Sequence, residues 1–229
     1  MTPARAAFAL PMNAKPGQHG NAPLSDRIML WLSSGEQIDG LWVGTYFQTN
    51  APAVMRRVQE ALSLIKLHDR RRYDRLARDV RRVWVRLVPG ALARYSPTLQ
   101  ACELDEHFVL ADTSSPDLIA AVIIHEATHA RLWRCGMGYD EARRSRVEGV
   151  CFRRELAFAA RLPNGERVRA QAEAALAFPP TTWTDAAERE RALQGAAMVL
   201  RQLSVPRWLI RSLVAVGAWR SSRRTTRRT

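Results

Sequence analysis

A chain of 229 residues with 47% hydrophobic and 25% charged side chains is long and apolar enough to bury a core, which excludes a disordered or fibrous class. The formal net charge of +13 is uneven: residues 52–86 hold eleven bases against four acids, residues 206–229 hold seven arginines and no acid, and the rest is close to neutral. Three cysteines, Cys102, Cys135 and Cys151, cannot all pair, which argues against a secreted disulfide framework and for a reducing, cytoplasmic setting.

Met1 to Gln18 holds proline, glycine and asparagine without the apolar stretch of a signal peptide, and reads as a loose tail. Two short apolar runs follow, Ile28 to Leu32 and Leu41 to Phe47, and both are expected to pack on a core. Residues 52–68 put Val54, Val58, Leu62 and Ile65 on one face of an amphipathic helix. Arg70, Arg71 and Arg72 then form either a solvated face or a patch for an acidic partner. Val83 to Val88, stopped by Pro89-Gly90, reads as a strand, and Cys102 to Leu110 as a second. His107 within it is read as a surface residue, with a transition-state donor or an upstream metal ligand as alternatives.

The most informative stretch comes next. Ser114 or Ser115 can cap a helix, Pro116 suits its first turn and Asp117 complements its positive end. Leu118 to Ile124 is apolar on every side, the mark of a buried helix, and Gly136 offers a left-handed stop. Near the middle of this helix stands His125-Glu126-Ala127-Thr128-His129, an H-E-x-x-H. Residues four apart lie one turn above each other, so both imidazoles can face one ion, with Glu126 beside it as a base for a water molecule. A catalytic zinc needs three protein ligands. The other histidines, His19, His68 and His107, all lie upstream of the motif, and Cys135 falls off the metal-facing side if the helix continues. Glu148, nineteen residues past His129 on a second helix running from near Asp140 to Leu162, is the better third ligand, with Gly149 beside it where two helices need to approach closely. Glu141 and Glu155 are rival ligands that more readily form surface pairs.

Two further helices are expected over 166–178 and 185–203, separated by Pro179-Pro180. Residues 206–229 differ: Trp208 to Trp219 is mostly apolar and Arg220 to Thr229 holds five arginines. Twelve helical residues rise about 18 Å, short of a bilayer core of about 30 Å. The segment is therefore a helix docked on the core or an interfacial one on an anionic membrane surface; nucleic acid is the least favoured partner.

The motif and its spacing to Glu148 resemble the gluzincins, a branch of the zincin metallopeptidases, over roughly residues 83–162. His125, Glu126 and His129 match the family motif directly and Glu148 matches by spacing. The family's acidic residue four positions after the glutamate ligand is Phe152 here, so the outer partner of one histidine must come from elsewhere, and Arg131 stands where zincins usually carry an apolar residue. The resemblance implies that the strand just ahead of the helix edges the cleft and pairs with substrate, its Glu103, Asp105 and Glu106 leaning toward basic peptides or forming a solvated face.

These readings give an α+β, mostly helical fold with a zincin-like core and a small sheet beside a buried active-site helix. The expected organisation is a tail and packing segment over 1–50, a metallohydrolase core over 51–165 and a helical subdomain with a basic tail over 166–229. The expected activity is hydrolysis of peptide bonds in a peptide or protein substrate, using Zn2+ on His125, His129 and Glu148, with Glu126 as general base. Tyr139, between the two helices, is a candidate oxyanion donor or a packing residue. Two alternatives stay open: a non-catalytic zinc-binding interaction protein, and a protease acting on DNA-associated proteins. The expected location is cytoplasmic, or peripheral at the inner membrane surface.

Overall fold

The computed structural model describes residues 22–202 together with 205, 206 and 208. The fold is α+β and mostly helical, around a mixed five-stranded sheet. Its strands are β1 (Ser34–Ile38), β2 (Leu41–Thr45), β3 (Arg82–Arg86), β4 (Ala93–Ser96) and β5 (Ala101–Asp105), arranged in the order β1-β2-β3-β5-β4. β1 and β2 form an antiparallel hairpin through Asp39-Gly40, both at positive φ, as the turns that suit strand twist require. β2 and β3 are parallel, so the chain must cross over between them. It does so through α2 (Ala51–His68) and α3 (Arg70–Asp79). Residues 34–45, read from the sequence as part of an N-terminal packing segment, are thus hydrogen-bonded members of the sheet.

β3 is buried on both faces because it lies inside the sheet. Val83 and Val85 join the main core, while Trp84, pointing the other way, packs with Leu99 and Ala101. On the main-core face α2 buries Val54, Val58, Ala61, Leu62 and Ile65, one helical stripe. Each of these side chains except Ala61 contributes roughly 1.5–3 kcal/mol of transfer free energy. On the opposite face α1 (Leu24–Trp31) covers less than its composition suggests. Met29 and Leu30 pack on the Trp84 cluster, but Ile28, Trp31 and Leu32 are exposed, so the first apolar run is only half engaged.

Two expectations about the region before the motif are corrected. The run from Cys102 to Leu110 is a strand only to Asp105, after which α4 (Glu106–Leu110) begins. The Asp105 carboxylate causes the break, accepting from the Phe108 amide at 3.2 Å as an N-cap. β5 is moreover flanked by β3 and β4, so both its hydrogen-bonding edges are filled and it cannot take up a substrate strand. Its acids are structural: Glu103 is fully buried and accepts from Arg94 at 2.7 Å, Asp105 accepts from the Val88 amide at 2.9 Å, and Glu106 accepts from Asn50 at 3.0 Å.

α5 (Pro116–Arg134) runs through the core, capped by Ser115 and buried continuously from Leu118 to Glu126. It ends at Gly136 (φ 77°), where the Gly136 and Met137 amides donate to Trp133 and Leu132, a Schellman closure. The short link to Asp140, the cap of α6 (Glu141–Ala159), lays α6 against α5. α7 (Glu166–Leu176), a 3-10 turn (Pro180–Trp183) and α8 (Asp185–Gln202) follow. α8 crosses the β3–β4 connection at very close range: a Cβ built on Gly195 would lie 2.0 Å from the Gly90 nitrogen. No described helix is long and apolar enough to cross a membrane. The membrane-surface reading of 206–229 falls, apart from Pro206 and Trp208, outside the described residues.

Candidate metal centre

α5 presents His125 and His129 on one face, and their Nε2 atoms converge to 3.1 Å. α6 brings Glu148 against both: Oε2 lies 3.2 Å from His125 Nε2 and Oε1 lies 3.4 Å from His129 Nε2. Glu126 is buried beside them. Oε2 of Glu126 and Oε2 of Glu148 have no hydrogen-bond partner among the described residues. Buried carboxylate oxygens without partners are costly, and facing imidazole nitrogens do not compensate one another. A cation among them removes both penalties.

Cys151, which the sequence reading did not single out, belongs to the same place. His125, His129 and Cys151 form a buried group whose ligand atoms all lie within 4.8 Å of one another, a set that could hold a metal ion. The signal was present in the spacing, because Cys151 is three residues past Glu148 and so on the same face of α6. Burial, with Glu148, Glu126 and Glu155 nearby, pushes its thiol well above the ordinary range, so it stands as a neutral thiol among carboxylates. For Glu148 burial works against ionisation, but the two histidines more than offset it and hold the carboxyl well below the usual range. Burial raises the Glu126 carboxyl, with the histidines opposing.

Glu155 requires a correction. The sequence suggested a surface pair, whereas Glu155 is buried and its Oε1 lies 2.5 Å from His125 Nδ1. It occupies the place of the outer partner that Phe152 cannot fill, with Nε2 of the same ring facing Glu148 and His129. Phe152 packs edge-on against the same ring, 4.8 Å between centroids. Tyr139 packs edge-on against His129, and its hydroxyl donates a short hydrogen bond to Glu148 Oε1. Burial and the Glu148 charge keep that hydroxyl protonated.

The remaining candidates lie outside. Glu141 is exposed and accepts from the Asp185 amide. Cys135 is exposed at the end of α5. His107 is half-exposed, 3.6 Å from Asp105. Gly149 does not serve a close helix approach, since a Cβ there would meet only the Arg153 guanidinium at 3.4 Å.

The 3-10 turn and α8 roof the site. Trp183 packs against Phe152. Buried Arg144 lies over the Tyr139 ring, donates to the Trp183 carbonyl and to Asp185, and sits 3.1 Å from buried Glu188. Burial raises the Glu188 carboxyl to about 7, against the pull of Arg144. All four central residues are at most 2% exposed, so a substrate reaches them only if a covering element moves, and α8, whose Glu188 is buried against Arg144, is one such element. Gly195→Leu tests that directly: overpacking costs about 1–3 kcal/mol, equivalent to roughly 5- to 150-fold in the population of undocked α8. Thiol labelling resolved by mass spectrometry should show Cys151 reacting faster by such a factor in metal-free protein, with core Cys102 unchanged. Parallel acceleration at Cys102 would mean global unfolding instead.

Compared with known proteins, the chain matches no family model, no curated protein and no solved structure, so the family resemblance rests on the motif and its spacing.

Proposed function

We propose that the protein is a zinc-dependent peptidase in which His125, His129 and Glu148 hold the ion and Glu126 is the general base. The observation that carries this reading is the convergence of Glu148 with both Nε2 atoms. The two Nε2 atoms lie 3.1 Å apart and each faces one oxygen of the Glu148 carboxylate, Oε2 at 3.2 Å from His125 and Oε1 at 3.4 Å from His129, so three side chains that would hold the ion meet at one place. When bound, zinc supplies a Lewis acid for a scissile carbonyl and acidifies a water at its open position.

The chain's own residues do the rest. Glu126, its carboxyl already raised by burial, takes the proton of the attacking water and returns it to the leaving amine. Glu155 holds His125, and Tyr139 holds Glu148, each through one hydrogen bond. Tyr139 serves a developing oxyanion only by exchanging its bond to Glu148, so orienting that carboxylate is its first role.

Protein purified without chelators should carry about one zinc per chain and cleave an unstructured protein substrate, and a chelator should abolish cleavage. Metal-free protein, or cleavage indifferent to chelation, overturns the reading. Full burial of the four central residues favours a second one, a closed zinc site that ties α5 to α6 in an interaction protein. That alternative requires bound zinc without cleavage, including in the Gly195→Leu variant.

A further inference from the structure

Beside the metal-facing side of α5, a second face of the same helix lines a cleft with α3 and α6. It encloses about 120 Å³ over an aliphatic floor that includes Ile124 and Val150. Four arginines, Arg72, Arg75, Arg131 and Arg154, stand around it with a single acid, Asp79. That acid is already shared by Arg78, Arg131 and Arg134. Arg72 is spent on Asp69, and burial together with the positive charge of Arg161 and Arg154 lowers its guanidinium below the ordinary value. Arg75 and Arg154 are exposed, and their side chains make no hydrogen bond or ion pair with any described residue. The cleft is therefore apolar at its base, positive at its rim and short of counter-charge.

We propose that this cleft binds an acidic polypeptide segment, one apolar side chain entering the floor and flanking carboxylates pairing with Arg75 and Arg154. The volume decides the size of the occupant: drug-sized ligands fill roughly 300–1,000 Å³, so about 120 Å³ takes a single aliphatic side chain. The rim decides its charge, since guanidinium forks match carboxylates in two-pronged pairs. A protein segment is preferred to a nucleic acid because no aromatic side chain lines the cleft to stack on a base. The proposal stands independently of hydrolysis at the zinc site, because none of the residues proposed to hold the ion lines this cleft.

Cys135 lies in the lining and is the exposed thiol of the three cysteines, which makes it a built-in reporter. The experiment uses the full chain and a fluorescent peptide carrying one leucine between runs of glutamate and aspartate. Binding should be saturable, weaken with added salt, and slow alkylation of Cys135. The Arg75→Glu/Arg154→Glu double variant should bind at least about tenfold more weakly, as reversal of two rim charges predicts. Both positions are exposed, so zinc content and circular dichroism should be unchanged. A peptide with serine in place of leucine should bind several-fold more weakly. The proposal is overturned if the double variant binds normally, if the serine peptide binds equally well, or if single-stranded DNA of the same charge competes as effectively as the acidic peptide.

Discussion

Glutamine in place of Glu126 is expected to leave zinc content and stability unchanged while lowering peptide hydrolysis by about 10²–10⁴-fold, the usual worth of a positioned general base. Glu126 is buried on the α5 turn that carries His125, and its Oε2 has no protein partner among the described residues. Glutamine keeps the size and the polarity but cannot accept and return a proton. Because burial penalises the Glu126 charge, losing that charge costs the folded state little. Metal analysis, thermal unfolding and a fluorogenic peptide assay on matched preparations check all three statements. Equal hydrolysis by the variant and the parent protein would remove Glu126 from the mechanism. Retained zinc with no cleavage in either form would move the function to the closed interaction site.

Glu148→Ala is expected to produce the largest loss of metal. Removing one of three protein ligands should weaken zinc by more than the roughly 10–100-fold that loss of an outer hydrogen-bond partner costs, and should abolish cleavage. The comparison set makes the expectation specific. Glu155→Gln removes the acceptor held against His125 Nδ1 and should fall inside that 10–100-fold range. Glu141→Ala touches an exposed side chain and should change affinity and stability little, within about 0.5 kcal/mol. Cys151→Ser decides between the two candidate third ligands on α6. If Glu148 completes the site, the serine variant keeps its zinc and X-ray absorption detects only nitrogen and oxygen neighbours. A zinc–sulfur distance near ~2.3 Å, or zinc retained by Glu148→Ala, would assign the position to Cys151 instead.

Local rules made α5 legible from the sequence. A Ser115 cap, Pro116 in the first turn, an all-apolar run and a left-handed glycine at 136 each act within a few residues, and they place His125, Glu126 and His129 without any long-range contact. Glu148 was brought forward by its spacing, nineteen residues past His129 on the next predicted helix. Spacing missed Cys151, one turn on, because a lone cysteine in a helix reads as an ordinary apolar residue.

What counting could not supply was the environment of a charge. Glu155 looks like any helical glutamate, and its burial is decided by His125, thirty residues away in sequence. Glu103, Asp105 and Glu106 look like an acidic surface, yet Arg94, a helix cap and Asn50 consume them once β4 and α4 are in place. The order of the sheet is similarly non-local: β5 lies between β3 and β4 because the chain returns through a hairpin, and neither strand's own residues encode that neighbour.

Periodicity and capping thus placed the long helices α2, α5 and α6 and the motif, since these depend on interactions within a few residues, while the nineteen-residue spacing from His129 singled out Glu148. Tertiary structure alone decided which acids are buried and paired, which strand edge is closed, and that α8 roofs the site. Each of those depends on which distant groups are desolvated together, and burial fixes that only when the whole chain has folded.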